Sequence, residues 1–178
     1  ATPTSDGQYC LEGHKWFTSA PMCDAFLVLA YAPKGMSCFL VPRVLPDGTR
    51  NSLRFMRLKD KLGNRSNASA ELEFDSTMAW IVGEEGRGVP TIIDMVHATR
   101  LDVANWGVSL MRQAVTQAGW HVANRDAFGA TLIDKPLMQN VLADLEIEVE
   151  AATLMITRLS GAHERMEIDE HERAFARL

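Results

Sequence analysis

"GEEGRGVPTIIDMVHATRLD", Gly83 to Asp102, is the stretch on which the fold turns. On its far side Val89, Ile92, Ile93 and Val96 recur at helical spacing, and the pattern runs on through Ala104, Val108, Met111 and Val115 toward Asn124. That spacing predicts one long helix. On its near side, from Tyr9 to about Trp80, the apolar residues come in short blocks: "YCLEGHKWF", "AFLVLAYA", "MSCFLVP", "LRFMRL" and "AELEF". Turn chemistry such as "APKG", "PDGTRN" and "LGNRSN" bounds them, as in antiparallel strands joined by loops. In "AELEF", Leu72 and Phe74 alternate with Glu71 and Glu73, which predicts a sheet with one wet side.

Strands first and helices afterwards make the fold class α+β, an antiparallel sheet or barrel followed by long helices. The boundary falls between Gly83 and Gly88, giving a β-domain over residues 1–85 and a helical domain over 86–178. The glycines of "GEEGRG" have the wrong spacing for a dinucleotide turn and read as a hinge into the helix.

A second helix is expected from Asp134 as N-cap, with Pro136 in its first turn, where the missing N–H costs nothing. Leu137, Val141, Leu145, Val149, Ala152, Ile156 and Leu159 form its apolar stripe, for which the first helix is the obvious partner. Gly161 is the expected end, and "HERMEIDEHERAFARL" reads as a solvated helix start.

With 47% hydrophobic and 23% charged residues among 178, the composition is that of a globular chain, against disorder or fibre. The longest apolar runs, such as "AFLVLAYA", fall far below the roughly 20 residues that cross a bilayer, so no membrane span is expected. No secretory leader is visible, and a cytoplasmic location follows by default. Cys10, Cys23 and Cys38 lack metal or redox spacing and are expected to be buried, reduced thiols. A net charge of -5 disfavours a general nucleic-acid grip by this segment. The chain opens at Ala1 without an initiator methionine and stops at Leu178 inside a helical pattern, as a piece of a longer protein would.

No Walker loop, G-x-G-x-x-G, H-E-x-x-H or G-x-S-x-G signature occurs, and the scattered histidines give no metal site. "GHKWFTSAP", Gly13 to Pro21, has two readings. Trp16 and Phe17 are core residues at an ordinary strand end, or the row of two rings and two hydroxyls is shaped to meet a flat heterocycle.

In order and spacing, "DGQYCLEGHKWFTS", "KLGNRSNASAELEFD", "VGEEGRGVPTIIDMVHATRLD" and "RDAFGATLIDKPLMQNVLADL" resemble the acyl-CoA dehydrogenase family of flavoproteins, most of all its DNA-alkylation-response branch. The resemblance implies the family's middle β-domain followed by the first two helices of an incomplete four-helix bundle. It implies FAD as cofactor. Phe17 would lie on the isoalloxazine ring, Ser19 would donate a hydrogen bond near flavin N5, and Thr18 would face the other way. Arg125 would reach the FAD pyrophosphate across a subunit boundary, with Phe128 on the adenosine side. Gln139 would fill the second of two glutamine positions, while Pro136 stands where the first is common. Arg100 matches an arginine near the flavin; a bland alternative pairs it with Asp94 or Asp102.

The implied reaction removes the α-proton of an acyl-CoA thioester with a carboxylate while the β-hydrogen leaves as hydride. No residue of this chain matches that carboxylate, for Thr99 stands at one of its two family positions, so the chain by itself is expected to be inactive. The resemblance also implies a homo-oligomer. Two further readings stay open: a flavoprotein that protects DNA through a basic surface outside this segment, and a non-catalytic folding or assembly module.

Overall fold

The structure, a computed structural model, describes residues 1–5 and 7–177. It divides into two compact units, Ala1–Asp94 and Met95–Leu178. The first is a six-stranded antiparallel sheet of β1 (Thr2–Ser5), β2 (Gln8–Ser19), β3 (Ala25–Ala32), β4 (Gly35–Pro42), β5 (Leu53–Leu58) and β6 (Ser69–Val82). The order is β1-β2-β6-β4-β3, and β5 lies beside β6 off that path. β6 is the spine: β2 follows it from Trp80 to Ser69, while β5 and then β4 share its other edge.

Alternation along these strands builds one core from Tyr9, Leu11, Phe26, Val28, Phe39, Val41, Leu72, Phe74 and Ala79. Tyr9 meets Phe39 edge to face, ring centroids 4.9 Å apart, a geometry that matches the positive rim of one ring to the negative face of the other.

Three expectations about this unit need correction. The Glu71 and Glu73 face of β6 is not simply wet, because Glu71 is buried beneath Arg57 and Lys59. Only Cys38 is a buried thiol; Cys10 is half-buried and Cys23, in the turn after β2, is exposed. The glycine-rich segment is clamped rather than a free hinge. Gly86 N–H donates to Ser37 Oγ at 2.8 Å, and Lys34 N–H donates to Glu85 Oε1 at 3.1 Å. A Cβ on Gly88 would run into the backbone of Ser37 and Cys38, so only glycine permits that close approach.

Helix α1 (Gly88–Asn124) begins in the first unit and continues into the second, which also holds β7 (Asp126–Ala127), β8 (Ala130–Thr131), a 3-10 turn at Leu132–Asp134, α2 (Pro136–Arg165) and α3 (Glu170–Ala176). The Arg112 guanidinium joins α1 to α2, donating to Glu146 Oε1 at 2.6 Å and also to Glu150. Two expected boundaries of α2 differ. Its N-cap is Lys135, since Asp134 is consumed by the 3-10 turn, though Pro136 does open the helix. Gly161 does not end α2, which runs on to Arg165 because Ala162 is fully buried and α3 folds back on this end. Arg158 there grips both carboxylate oxygens of Glu172 at 2.8 and 2.9 Å. The stripe on α2 is accordingly split: Val149 and Ile156 are buried, whereas Leu137, Val141 and Leu145 are exposed. Among the described residues no helix is long and apolar enough to cross a membrane.

Candidate cofactor-binding site

The end of β2 owes its shape to two bulges facing one residue. Lys15 pairs with Leu72 and Thr18 with Ala70, so Trp16 and Phe17 together stand opposite Glu71. On the other edge of β6, Phe55 pairs with Leu72 and Arg57 with Glu71, which leaves Met56 as an extra residue at the same level. A bulge breaks the strict in-and-out alternation of a strand. Two consecutive rings can then project from the sheet, and Trp16 and Phe17 are 57% and 54% exposed. Neither belongs to the core, against the plainer of the two readings of this stretch.

Beneath the rings lies a charged cluster that sequence reasoning missed. Glu71 Oε1 accepts from Lys59 Nζ at 2.6 Å and from Arg57 Nε at 2.7 Å. The side chains of Lys59 and Glu71 are almost fully enclosed, at 9% and 7% exposure. Lys59 Nζ lies 3.2 Å from the Trp16 ring centroid and 4.5 Å from that of Phe17. The Lys59 hydrogen bond, followed by Arg57, holds the Glu71 carboxyl below its ordinary range against the opposing effect of burial. Next to it, His14 Nδ1 and Glu73 Oε1 are 2.6 Å apart. The signal was present as Arg57 and Lys59 two residues apart, with Glu71 further along the chain, but only the pairing register brings the three together.

Past the rings, Thr18 is half-buried and Ser19 exposed, and neither hydroxyl has a protein partner among the described residues. Ala20 then takes a left-handed conformation, φ 48°, and its N–H donates to Ala68 O at 2.9 Å. The chain turns away there, leaving the two hydroxyls at the tip.

The second unit gathers Arg125, Phe128 and Gln139 around a tight hairpin. β7 and β8 pair Ala127 with Ala130, leaving Phe128 and Gly129 as a two-residue turn with φ of 53° and 76°. Positive φ at both positions marks the turn whose twist suits a hairpin. A bulky aromatic is an outlier there, and the Phe128 ring is 94% exposed. Lys135 Nζ donates to Phe128 O at 3.0 Å, and Leu132 N–H donates to Arg125 O at 2.9 Å. Gln139 Nε2 donates to Ile133 O at 2.9 Å, tying the first turn of α2 to the same segment. The exposed Arg125 guanidinium has no ion pair among the described residues.

Arg100 stands apart, about 37 Å from Arg125 along the helix at 1.5 Å per residue. It is exposed, makes no ion pair with Asp94 or Asp102, and borders a cavity of about 200 Å³ with His97, Leu159 and His163. The bland pairing is therefore absent. No group of three or more metal-ligating side chains occurs among the described residues.

Residues 1–77 match the acyl-CoA dehydrogenase middle domain and residues 86–178 the acyl-CoA dehydrogenase C-terminal domain. The chain belongs to the acyl-CoA dehydrogenase family. It is 49% identical over 173 residues to the putative acyl-CoA dehydrogenase AidB of Escherichia coli K12, covering 97% of this chain and 32% of that protein. The bovine mitochondrial short-chain specific acyl-CoA dehydrogenase is 30% identical over a gapped match of 187 residues that covers 99% of this chain and 44% of the relative. Among solved structures, Caenorhabditis elegans ACDH-11 in complex with C11-CoA superposes with a TM-score of 0.89 at 30% identity, over 99% of this chain and 32% of that one. The chain thus spans 32% to 44% of the length of these relatives.

Proposed function

We propose that this chain supplies FAD-binding surfaces of an acyl-CoA dehydrogenase that takes an acyl-CoA thioester to its α,β-unsaturated product. The observation that carries the reading is the bulged end of β2, where rings and hydroxyls project together instead of packing inward. FAD is a planar heterocycle with hydrogen-bonding edges joined to a pyrophosphate and an adenosine, and the side chains present fit it in kind. The Phe17 ring would lie on the heterocycle, and the unpartnered Ser19 hydroxyl would donate to its polar edge. The Arg125 guanidinium, always charged and offering parallel N–H donors, suits a phosphate pair. Phe128, held outward against its own backbone preference, would meet the adenosine. Gln139 would add an amide contact from α2, and Thr18 would stay on the opposite face. Arg100 would sit nearer the reacting centre than Arg125. When bound, FAD supplies the hydride acceptor of the reaction.

The proton-abstracting carboxylate has no counterpart in this chain, where Thr99 stands at one of its family positions. Its hydroxyl donates to Val96 O at 3.0 Å and cannot serve as base. We therefore expect this chain to bind FAD without turning over acyl-CoA.

FAD titration of the 178-residue chain, followed by flavin fluorescence and by melting temperature, tests the reading. Saturable binding that weakens about tenfold in Phe17→Ala and in Arg125→Ala supports it. No binding, or binding indifferent to both substitutions, overturns the assignment of these surfaces. Acyl-CoA oxidation by the chain alone would overturn the absence of a base.

A further inference from the structure

The enclosed cluster behind the aromatic pair asks more of an explanation than stability alone. A buried ion pair is a weak source of net stability, because desolvation offsets most of the Coulombic attraction. Yet here a lysine and a glutamate, each less than a tenth exposed, meet at the one level of the sheet where both strands flanking β6 carry an extra residue. The Lys59 ammonium has three donors. One is taken by Glu71 Oε1 at 2.6 Å, and the ammonium is also set against two π-faces, Trp16 at 3.2 Å and Phe17 at 4.5 Å. Cation–π attraction is strongest where the cation is stripped of water, as this one is. Arg57 completes the cluster on the same carboxylate oxygen, with its guanidinium 5.7 Å from the Trp16 centroid. Arg57 and Lys59 face the single Glu71 carboxylate, so these three side chains together carry a net positive charge.

The consequence is directional. Both residues are more than half exposed while an ammonium lies over each ring. The rings are therefore fixed in plane without being buried.

We propose that Lys59 is a positioning residue for the exposed end of β2. Anchored by Glu71, its ammonium sets the plane in which Phe17 is presented and places a fixed positive charge directly behind it. The inference rests on the flavin reading of that surface. If Phe17 meets the isoalloxazine, the charge behind it favours the electron-rich reduced form of the bound cofactor. Lys59 touches neither cofactor nor substrate in this scheme; it acts through Phe17 and through its field.

The test compares the wild-type chain with Lys59→Met, Lys59→Arg and the neutral pair Lys59→Met/Glu71→Gln, which removes both charges so that no carboxylate is stranded. Three quantities are measured: the near-ultraviolet dichroism of the cofactor-free chain, FAD affinity, and the reduction potential of bound FAD. Expected for Lys59→Met, where Arg57 still pairs with Glu71 and the trio falls from net positive to neutral, are a weakened near-ultraviolet aromatic signal, a dissociation constant raised about tenfold, and a potential shifted to more negative values. The neutral pair, which keeps the wild-type net charge, loses the same affinity with a smaller shift in potential. Lys59→Arg keeps the wild-type potential, since a guanidinium retains both charge and stacking. A cluster that serves stability alone would lower the melting temperature and leave the potential in place. A Lys59→Met variant with wild-type affinity and potential overturns this inference and spares the flavin reading. A wild-type chain that binds no FAD overturns both.

Discussion

The two units hold their exposed candidate residues in opposite ways. At the end of β2, Phe17 is braced from within by Lys59 and Glu71, over a sheet whose core includes Leu11, Phe39, Val41 and Leu72, all 1% exposed or less. In the helical unit, Arg125, Phe128 and Gln139 sit on an exposed hairpin and helix start, where Leu132 N–H, Lys135 Nζ and Gln139 Nε2 donate to backbone oxygens of the same segment. That unit buries little: among the described residues Val122, Val149, Ile156 and Ala162 are its buried apolar ones, while Trp106, Leu110, Trp120 and Leu154 stay open. A surface built over its own core is pre-shaped for a ligand, whereas one built on a turn is shaped by local backbone geometry.

The sharpest way to break this contrast is through the cores. Phe39 is fully buried at the centre of the sheet, so Phe39→Ala removes its contacts and leaves a cavity, costing about 3–5 kcal/mol. Leu154, 70% exposed on α2, is the matched control: Leu154→Ala stays within about 0.5 kcal/mol. Denaturant unfolding of the two variants measures both. Equal losses would show that the helical unit depends on apolar contacts as much as the sheet does.

A middle-sized effect comes from acid. The Glu71 carboxyl is held below its usual 4.5 by Lys59 and Arg57, so its pairing stabilises the fold fully above that value and is lost as pH falls through the depressed one. In the helical unit the same sign holds for Glu172, lowered chiefly by Arg158. The melting temperature of the wild-type chain should begin to drop as pH falls below about 4.5 and continue to drop through the depressed values. In a background where Trp80, Trp106 and Trp120 are replaced by Phe so that fluorescence reports Trp16 alone, Glu71→Gln should flatten that drop and Glu172→Gln should leave it unchanged. A Glu71→Gln profile as steep as wild type would remove Glu71 from the account.

What the sequence disclosed and what it withheld follow the same division. The long helices were legible because a 3.6-residue apolar period needs no knowledge of the partner. The strand blocks were legible for a related reason, since turn residues punctuate them locally. The bulges were not, because an extra residue in β2 or β5 is defined only against the register of β6. Hence Trp16 and Phe17 could be read either as core or as surface, and the buried Glu71 was taken for a wet one. The ends of α2 were misjudged in the same manner: Asp134 is a good cap by type but belongs to the turn that closes the hairpin, and Gly161 is overridden by the packing of α3. Membership of the family, by contrast, came from the order of four motifs spread over the chain. No single one of them carried it.

The smallest effect is the most diagnostic of function. Phe128 occupies a left-handed turn position that favours asparagine or glycine, with its ring 94% exposed and so without packing to offset the strain. Phe128→Asn should therefore stabilise the chain by about 1 kcal/mol, against the usual direction of a hydrophobic-to-polar change. If the ring is retained to meet the adenosine of FAD, the same variant should bind FAD about threefold to tenfold more weakly. Opposite signs in melting temperature and affinity mark a residue kept for a ligand at the expense of the fold. Were both quantities unchanged, the strained ring would have no role in either, and the helical unit's share of the proposed site would fall back on Arg125.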